Sequence, residues 1–270
     1  MMVNVVIPIY KSHLSKGEQI SLAQCCKILG SYPLTLIKPY SLDPSPYFTH
    51  PVKFNIESFD DDFFKDVRGY NRLMLSEEFY KRFLHKKYML IYQLDAFVFR
   101  DELAKWCKKG YDYIGAPWLD TIPEGKTFWE KIEFAQRRRK EYRNNTKQPD
   151  TNLPTEIQFH NQVGNGGFSL RHVKKFYTIC KERKQQIDYY NQNSGYSTFY
   201  NEDVFWSLEV NRKKNILKIP DYKTALKFSF ENLPEFALTI TKGKLPFGCH
   251  AWNMFPDFWN PVIRSLGYDI

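Results

Sequence analysis

Two short β-branched runs with a capped helix between them constrain this chain more than any other feature. "VNVVIPIYK" reads as a strand stopped by Pro8, and "LTLIKP" as a second strand. Between them, "SKGEQISLAQCCKILG" offers Ser15 as an N-cap, Glu18 three residues later to close a capping box, and Gly30 as a stop. Strand, helix and strand in that order make a crossover unit, which implies a parallel sheet.

The rest of the chain continues the alternation. Segment 56–70 is acidic and aromatic, and "NRLMLSEEFYKRFL" after it has helical spacing in Leu73, Leu75, Phe79 and Phe83. "YMLIYQLDAFVF", Tyr88 to Phe99, supplies a central strand. "RDELAKWCKKG" is a short helix closing on Gly110, and "YDYIGAPW" is a strand stopped by Pro117. Residues 124–154 are polar and basic, with a helical middle. They are too few for a core of their own and read as an insertion in a single domain spanning 1–270. "HVKKFYTICKERKQQI" and "NEDVFWSLEV" read as helices, and "NILKIP" and "TALKFSF" as strand-like. The expected fold is α/β, an open and mostly parallel central sheet flanked by helices, with ligands at the carboxyl ends of its strands.

Bulk properties narrow the function. Mean hydropathy is -0.53, and no apolar run approaches the roughly 18 residues of a membrane span. The opening "MMVNVVIPIY" lacks a basic n-region, so a first strand and a cytoplasmic home are expected. Five cysteines, at 25, 26, 107, 180 and 249, form no C-x-x-C pair and argue against a disulfide framework or a structural zinc site. The formal charge of +9 favours anionic partners, and part of it comes from "RRRKEYR" at Arg137 to Arg143. Aromatics at 17% suit ring-lined clefts.

Four motifs carry chemistry. In "QLDAF" an apolar strand runs into Asp95. A carboxylate there is costly unless it is hydrated, paired or bound to a cation. It either caps the following turn or pairs with an Arg, or it is a hard oxygen ligand for a divalent ion. "GNGGFSLR", residues 164–171, has three glycines in four positions, which serve either a bulged strand entry or close approach of a ligand to the main chain. "NEDVFW" opens a helix with Glu202 and Asp203, placed to stabilise the helix dipole or to supply a general base. In "FGCHAW", His250 is a structural histidine or a nitrogen ligand of the kind that suits manganese better than magnesium.

Taken in order, these motifs resemble nucleotide-sugar-dependent glycosyltransferases of the GT-A type. The detailed run "IPIYK", "RGYNRL", "YQLDAFVF", "YDYIGAPW", "GNGGFSLR", "NEDVFWS", "FGCHAW" is similar to a bacterial domain family of unknown function that shares this core. The resemblance spans about residues 4–255. It implies a Rossmann-like GT-A domain that moves a sugar from a nucleoside-diphosphate sugar, UDP-linked by preference, to a glycan or polyprenol-linked acceptor. The setting implied is bacterial surface polysaccharide or glycoconjugate synthesis. By position it implies Asp203 as base of an inverting hexosyl transfer and Glu202 as holder of a sugar hydroxyl. Pro8 and Tyr10 would cradle the nucleobase, with Arg68 and Arg72 on the diphosphate. Asp95 and His250 would hold Mn2+ or Mg2+, and Asn165, Gly166 and Gly167 would line the sugar pocket. Gln93 stands where the family's D-x-D motif has its first acid; an amide can bond a ribose hydroxyl but is a poor cation ligand. Tyr92, Trp118, Trp206 and Trp252 are the candidate stacking rings.

Two other classes compete. A nucleic-acid module would need basic and aromatic residues interleaved on one surface, and no RNP strand or C2H2 spacing is present. A GT-A-like protein that binds sugar or nucleotide with weak or no turnover is the other. The basic insertion is either a solvated face or a peripheral contact with anionic membrane.

Overall fold

The computed structural model describes residues 2–119 and 127–270. The opening forms as expected: β1 (Val3–Pro8), α1 (Lys16–Leu29) and β2 (Leu34–Pro39). The capping box is present, with the Glu18 amide donating to Ser15 Oγ and the Ser15 amide donating to Glu18 Oε2. Then come β3 (Phe54–Phe59), α2 (Val67–Met74), α3 (Glu77–Arg82) and β4 (Tyr88–Tyr92). The expected single helix over 71–84 is broken because Ser76 bonds both ways. Its hydroxyl donates to Leu73 C=O at 2.8 Å and accepts from the Phe79 amide at 3.1 Å, ending one helix and capping the next.

Next are β5 (Phe97–Val98), α4 (Leu103–Lys108) and β6 (Tyr113–Ile114). The insertion carries α5 (Phe128–Asn144), none of whose residues is buried; positions 124–126 lie outside the described residues. After it run β7 (Phe168–His172), α6 (Val173–Glu182), α7 (Lys184–Asn193) and α8 (Glu202–Val204), which continues as a wider π turn over Phe205–Glu209. "NILKIP" is not a strand. The amides of Ile216 and Leu217 bond to Asn211 Oδ1, and that of Lys218 bonds to Asp112, so side chains satisfy the backbone in place of a ladder. "TALKFSF" divides into α9 (Tyr222–Ala225), capped by Asp221, and β8 (Ser229–Phe230). Then α10 (Pro234–Ile240), β9 (Gly248–Cys249) and α11 (Pro256–Ser265) close the chain.

The main sheet has the order β3-β2-β1-β4-β7-β6. β1 pairs in parallel with β2 on one side and β4 on the other, and β7 alone runs antiparallel to its neighbours. Along β4 the period of two is clean. Leu90 and Tyr92 join the core on one face, with Val5, Leu36 and Leu170; Met89 and Ile91 join the other, with Val6 and Ile37. A small sheet, β5-β9-β8, packs beside it. All five cysteines are free and buried. Among the described residues no helix is long and apolar enough to cross a membrane.

This topology positions a site. Strand order reverses at the β1–β4 junction, so a crevice opens outside their carboxyl ends. Because β7 is antiparallel, with Phe168 opposite Tyr92, its amino end brings the glycine-rich loop to that same edge. β9 pairs with β5 at Cys249 and Phe97 and so delivers His250 beside the loop after β4.

Candidate active site

A cleft of about 850 Å³ occupies that edge. After β4 the chain makes a tight turn, with the Ala96 amide donating to Gln93 C=O at 2.9 Å. The turn carries Asp95 out of the apolar run and into the cleft, where it is half-buried. The Gln93 amide meanwhile donates to Gly167 C=O at 2.8 Å, extending the ladder to the glycine-rich loop.

His250 is the hub. Its Nε2 lies 3.1 Å from Asp95 Oδ1 and 3.1 Å from Gln93 Oε1. Its Nδ1 faces Glu231 Oε1 at 3.2 Å and Asn165 Nδ2 at 2.9 Å. Asn165 is fixed because its Oδ1 accepts from the amides of Gly167 and Phe168, and its own φ of 63° is the left-handed conformation that asparagine tolerates. Burial works against a charged imidazole here. Asp95, then Glu231, more than offset it, and the His250 pKa is pushed up to about 10. Burial likewise works to raise the Asp95 pKa, but the His250 charge and hydrogen bond hold it below the ordinary carboxylate value.

The two adjacent glycines are required by what touches them. A Cβ on Gly166 would lie 1.8 Å from Glu202 Oε1, and one on Gly167 would lie 2.0 Å from His250 Nε2. The loop is therefore both a strand entry and a seat for two cleft-lining side chains.

In the same cleft, Glu202 is held from two directions. The buried Arg171 donates from Nη2 to its Oε1 at 2.9 Å, and the Glu202 backbone amide donates to Asn71 Oδ1 at 3.1 Å. Arg171 is itself satisfied by Tyr80, Ser169 and the Gly166 carbonyl. Glu202 Oε2 is buried with no hydrogen-bond partner among the described residues. Asp203 lines the same cleft, half-buried, and among the described residues accepts only from the adjacent Val204 amide. Burial, then the charges of Glu202 and Glu231, push its pKa up to about 7. A carboxylate poised there is suited to take a proton near neutral pH.

Of the residues singled out in the sequence, Pro8, Tyr10, Gln93, Asp95, Asn165, Gly166, Gly167, Glu202, Asp203, His250 and Trp252 all line this cleft. Five do not. Trp206 is fully buried, packed on Phe176 with ring centroids 4.2 Å apart, so it cannot stack on a ligand here. Tyr92 is also fully buried, its hydroxyl bonded to Ser21 and Ala96. Trp118 packs on Phe159 and over Gly164. Arg72 donates to Asp62 C=O, and Arg68 lies beside Asp66 and Gly195, so neither points its charge into the cleft wall.

Among the described residues, the basic side chains that line the cleft besides His250 are Lys11 and Lys65. Lys11 pairs with Glu18 at 2.8 Å, and Lys65 pairs with Asp62. Lys11 stood in "IPIYK", directly after the first strand, which was signal enough. Arg171 was announced by a charge inside an apolar strand. Glu231 follows a two-residue strand and left no readable pattern.

Among the described residues no three His, Cys, Asp or Glu side chains gather as a ready metal cage. Asp95 and His250 are two converging donors, with room in the cleft for a ligand to supply others.

Comparison with curated proteins returns no match. Among solved structures, the galactosyltransferase LgtC in complex with donor and acceptor sugar analogs aligns with a TM-score of 0.53 at 11% identity, covering 92% of this chain and 86% of that one. The apo glycosyltransferase GlyE of Streptococcus pneumoniae TIGR4 aligns at 0.50 and 12%, covering 93% of this chain and 54% of that one. The chain thus spans about half the length of GlyE. At such identities the likeness establishes the fold, and the fold is that of GT-A glycosyltransferases. The family described as Protein of unknown function (DUF5672) matches residues 53–250, most of the chain, and the protein belongs to that family.

Proposed function

We propose that the protein is an inverting glycosyltransferase. It takes a sugar from a nucleoside-diphosphate sugar, UDP-linked by preference, and attaches it to a hydroxyl of a glycan or lipid-linked saccharide. The whole chain acts as one domain, with α5 in its insertion. One observation carries this reading: Asp95, His250, Glu202 and Asp203, from three distant stretches of the chain, line a single cleft, with Asp95 against His250.

The donor lies across the β1–β4 junction, its base near Pro8 and the exposed ring of Tyr10. Lys11 sits where Arg68 and Arg72 were expected to act, and it trades its partner Glu18 for the diphosphate. Trp252 walls the sugar. The acceptor oxygen attacks the anomeric carbon, the bond from that carbon to the diphosphate oxygen breaks, and the diphosphate leaves with the electron pair. The acceptor proton passes to Asp203. Glu202, held by Arg171, offers its unpartnered Oε2 to a sugar hydroxyl.

A divalent cation, Mn2+ or Mg2+, fits the Asp95–His250 pair. Their donor atoms are 3.1 Å apart, and Glu231 stands behind Nδ1 as the outer carboxylate that commonly orients a ligating imidazole. Bound there, it would neutralise the leaving diphosphate.

The test is a panel of UDP- and GDP-sugars assayed for nucleoside-diphosphate release, with and without Mn2+. Wild type should release diphosphate with at least one donor, and Asp203→Ala should not. A wild type that binds nucleotide but never releases diphosphate with any acceptor would mark a sugar-binding member of the fold instead.

A further inference from the structure

A second cavity, of about 190 Å³, shares no residue with the cleft. It lies where the chain leaving α5 meets α7 and the segment before Glu202. Three tyrosine rings form it. Tyr189 and Tyr190 each meet Tyr200 edge to face, at 5.7 and 5.6 Å between centroids and interplanar angles of 83° and 78°. Tyr190 and Tyr200 are buried, but Tyr189 is 48% exposed, so its ring is an accessible wall. The volume suits one pyranose ring and falls short of the roughly 300 Å³ at which drug-sized ligand pockets begin. A flat aromatic wall with phenol hydroxyls beside it and the exposed Gln185 amide at its rim matches a sugar, which has an apolar face and a hydroxyl-bearing edge.

The charge in this cavity is unusual. Lys147 lines it with its ammonium 5.5 Å over the Tyr200 ring and 3.5 Å from the Tyr200 hydroxyl. Among the described residues no carboxylate forms an ion pair with it. Glu209, in the same wall, is engaged by Arg212 at 2.8 Å. Burial, then the nearby Arg212, lower the Lys147 pKa, and the charge of Glu209 does not make up the difference. A ligand anion would supply one. Among the described residues the lining of this cavity holds one cation without an ion pair and no guanidinium fork, with Glu209 nearby. A monoanionic carboxylate is balanced there, and a phosphate dianion is not.

We propose that this cavity is a subsite for a carboxylate-bearing monosaccharide unit of a glycan, its ring against Tyr189 and its carboxylate on Lys147. The site stands independently of the transfer reaction, though it shares a segment with it. Tyr200 precedes Glu202 by two residues, and Glu209 ends the helical stretch that the acid pair begins.

Amide chemical shifts of the full chain, titrated separately with sodium D-glucuronate, D-glucose, sodium acetate and inorganic phosphate, test this. Glucuronate should saturate shifts around residues 145–147, 185–190 and 200, with glucose about tenfold weaker for want of one charge-assisted contact. Acetate and phosphate should stay weaker than glucuronate. Lys147→Gln should bring glucuronate down to the level of glucose, while Lys147→Arg keeps most of the preference. Tyr189→Ala should weaken both sugars. The proposal is overturned if glucuronate saturates nothing at these residues, if phosphate binds more tightly, or if Lys147→Gln leaves the preference intact. None of these readouts requires turnover, so a wild type inactive with every nucleotide sugar would count against the transferase reading alone.

Discussion

Asp95 and Asp203 line one cleft, and their surroundings drive their protonation apart. Asp95 has a cationic neighbour at 3.1 Å, which keeps it ionised despite burial. Asp203 is dominated by burial and then by two neighbouring carboxylates, which the Val204 amide and the charge of Arg171 do not offset, so its proton is held to about pH 7. The same side chain is thus held as a carboxylate beside His250 in one place and keeps its proton to about pH 7 in the other. Paired acids whose environments separate their pKa values are how one site divides ligand and base roles.

The sharpest way to break this contrast is Asp203→Asn. It should lower kcat on the order of a hundred- to ten-thousandfold while leaving nucleotide affinity nearly unchanged. In wild type, kcat should climb as pH rises through about 7, because the base becomes free as its proton leaves; the variant should lose that limb. Steady-state rates from pH 5 to 9 with a competent donor, the roughly 4-unit span a single titration needs, would show both.

The anchoring of the acidic wall comes next. Arg171→Ala leaves Glu202 buried without its cation and should cost about 3 to 5 kcal/mol in chemical denaturation. Arg171→Met should cost less when combined with Glu202→Gln, because the uncompensated charge is then gone.

A third expectation separates stability from catalysis. Because the folded pKa of Asp203 is raised from 3.8, the protonated carboxyl favours the folded state. That contribution is full below the ordinary value of 3.8 and is lost as pH rises through about 7. Asp203→Asn should therefore raise the melting temperature above pH 7, by about 2 to 4 kcal/mol in stability, and bring no gain near the unfolded pKa. Melting scans that show an equal gain at both ends of the range would refute the raised pKa of Asp203.

The smallest effect concerns the surface. Phe128 and Trp129 are 70% and 75% exposed at the start of α5, with Arg139, Lys140 and Arg143 exposed further along it. We expect weak binding to anionic vesicles, reduced about fivefold by Trp129→Ser through loss of buried apolar area. Cosedimentation unaffected by that change would leave α5 a plainly solvated helix.

Much of the fold was legible because its signals are local. A capping box at Ser15, β-branched runs and glycine or proline stops lie within a few residues of what they specify. The motifs around Asp95, Gly166, Asp203 and His250 were visible in the same way, as unusual residue types in otherwise regular runs. The errors arose where exposure had to be known. Trp206 and Trp252 look alike in sequence, yet one is core and the other is cleft wall. Arg68 and Arg72 carried the expected charge, yet Lys11 faces the cleft.

The sequence by itself determined the opening strand–helix–strand unit, that most of the central strands run parallel, and which acids, glycines and histidine stand apart from the apolar pattern. Only the tertiary structure decided who meets whom. His250 touches Gln93 from 157 positions away, Glu231 and Arg171 acquire roles through partners distant in sequence, and the Lys147 cavity joins three separate stretches. The reason is physical. Propensity and capping act over a few bonds, whereas burial, ion pairing and the pKa values they set depend on the whole packed chain.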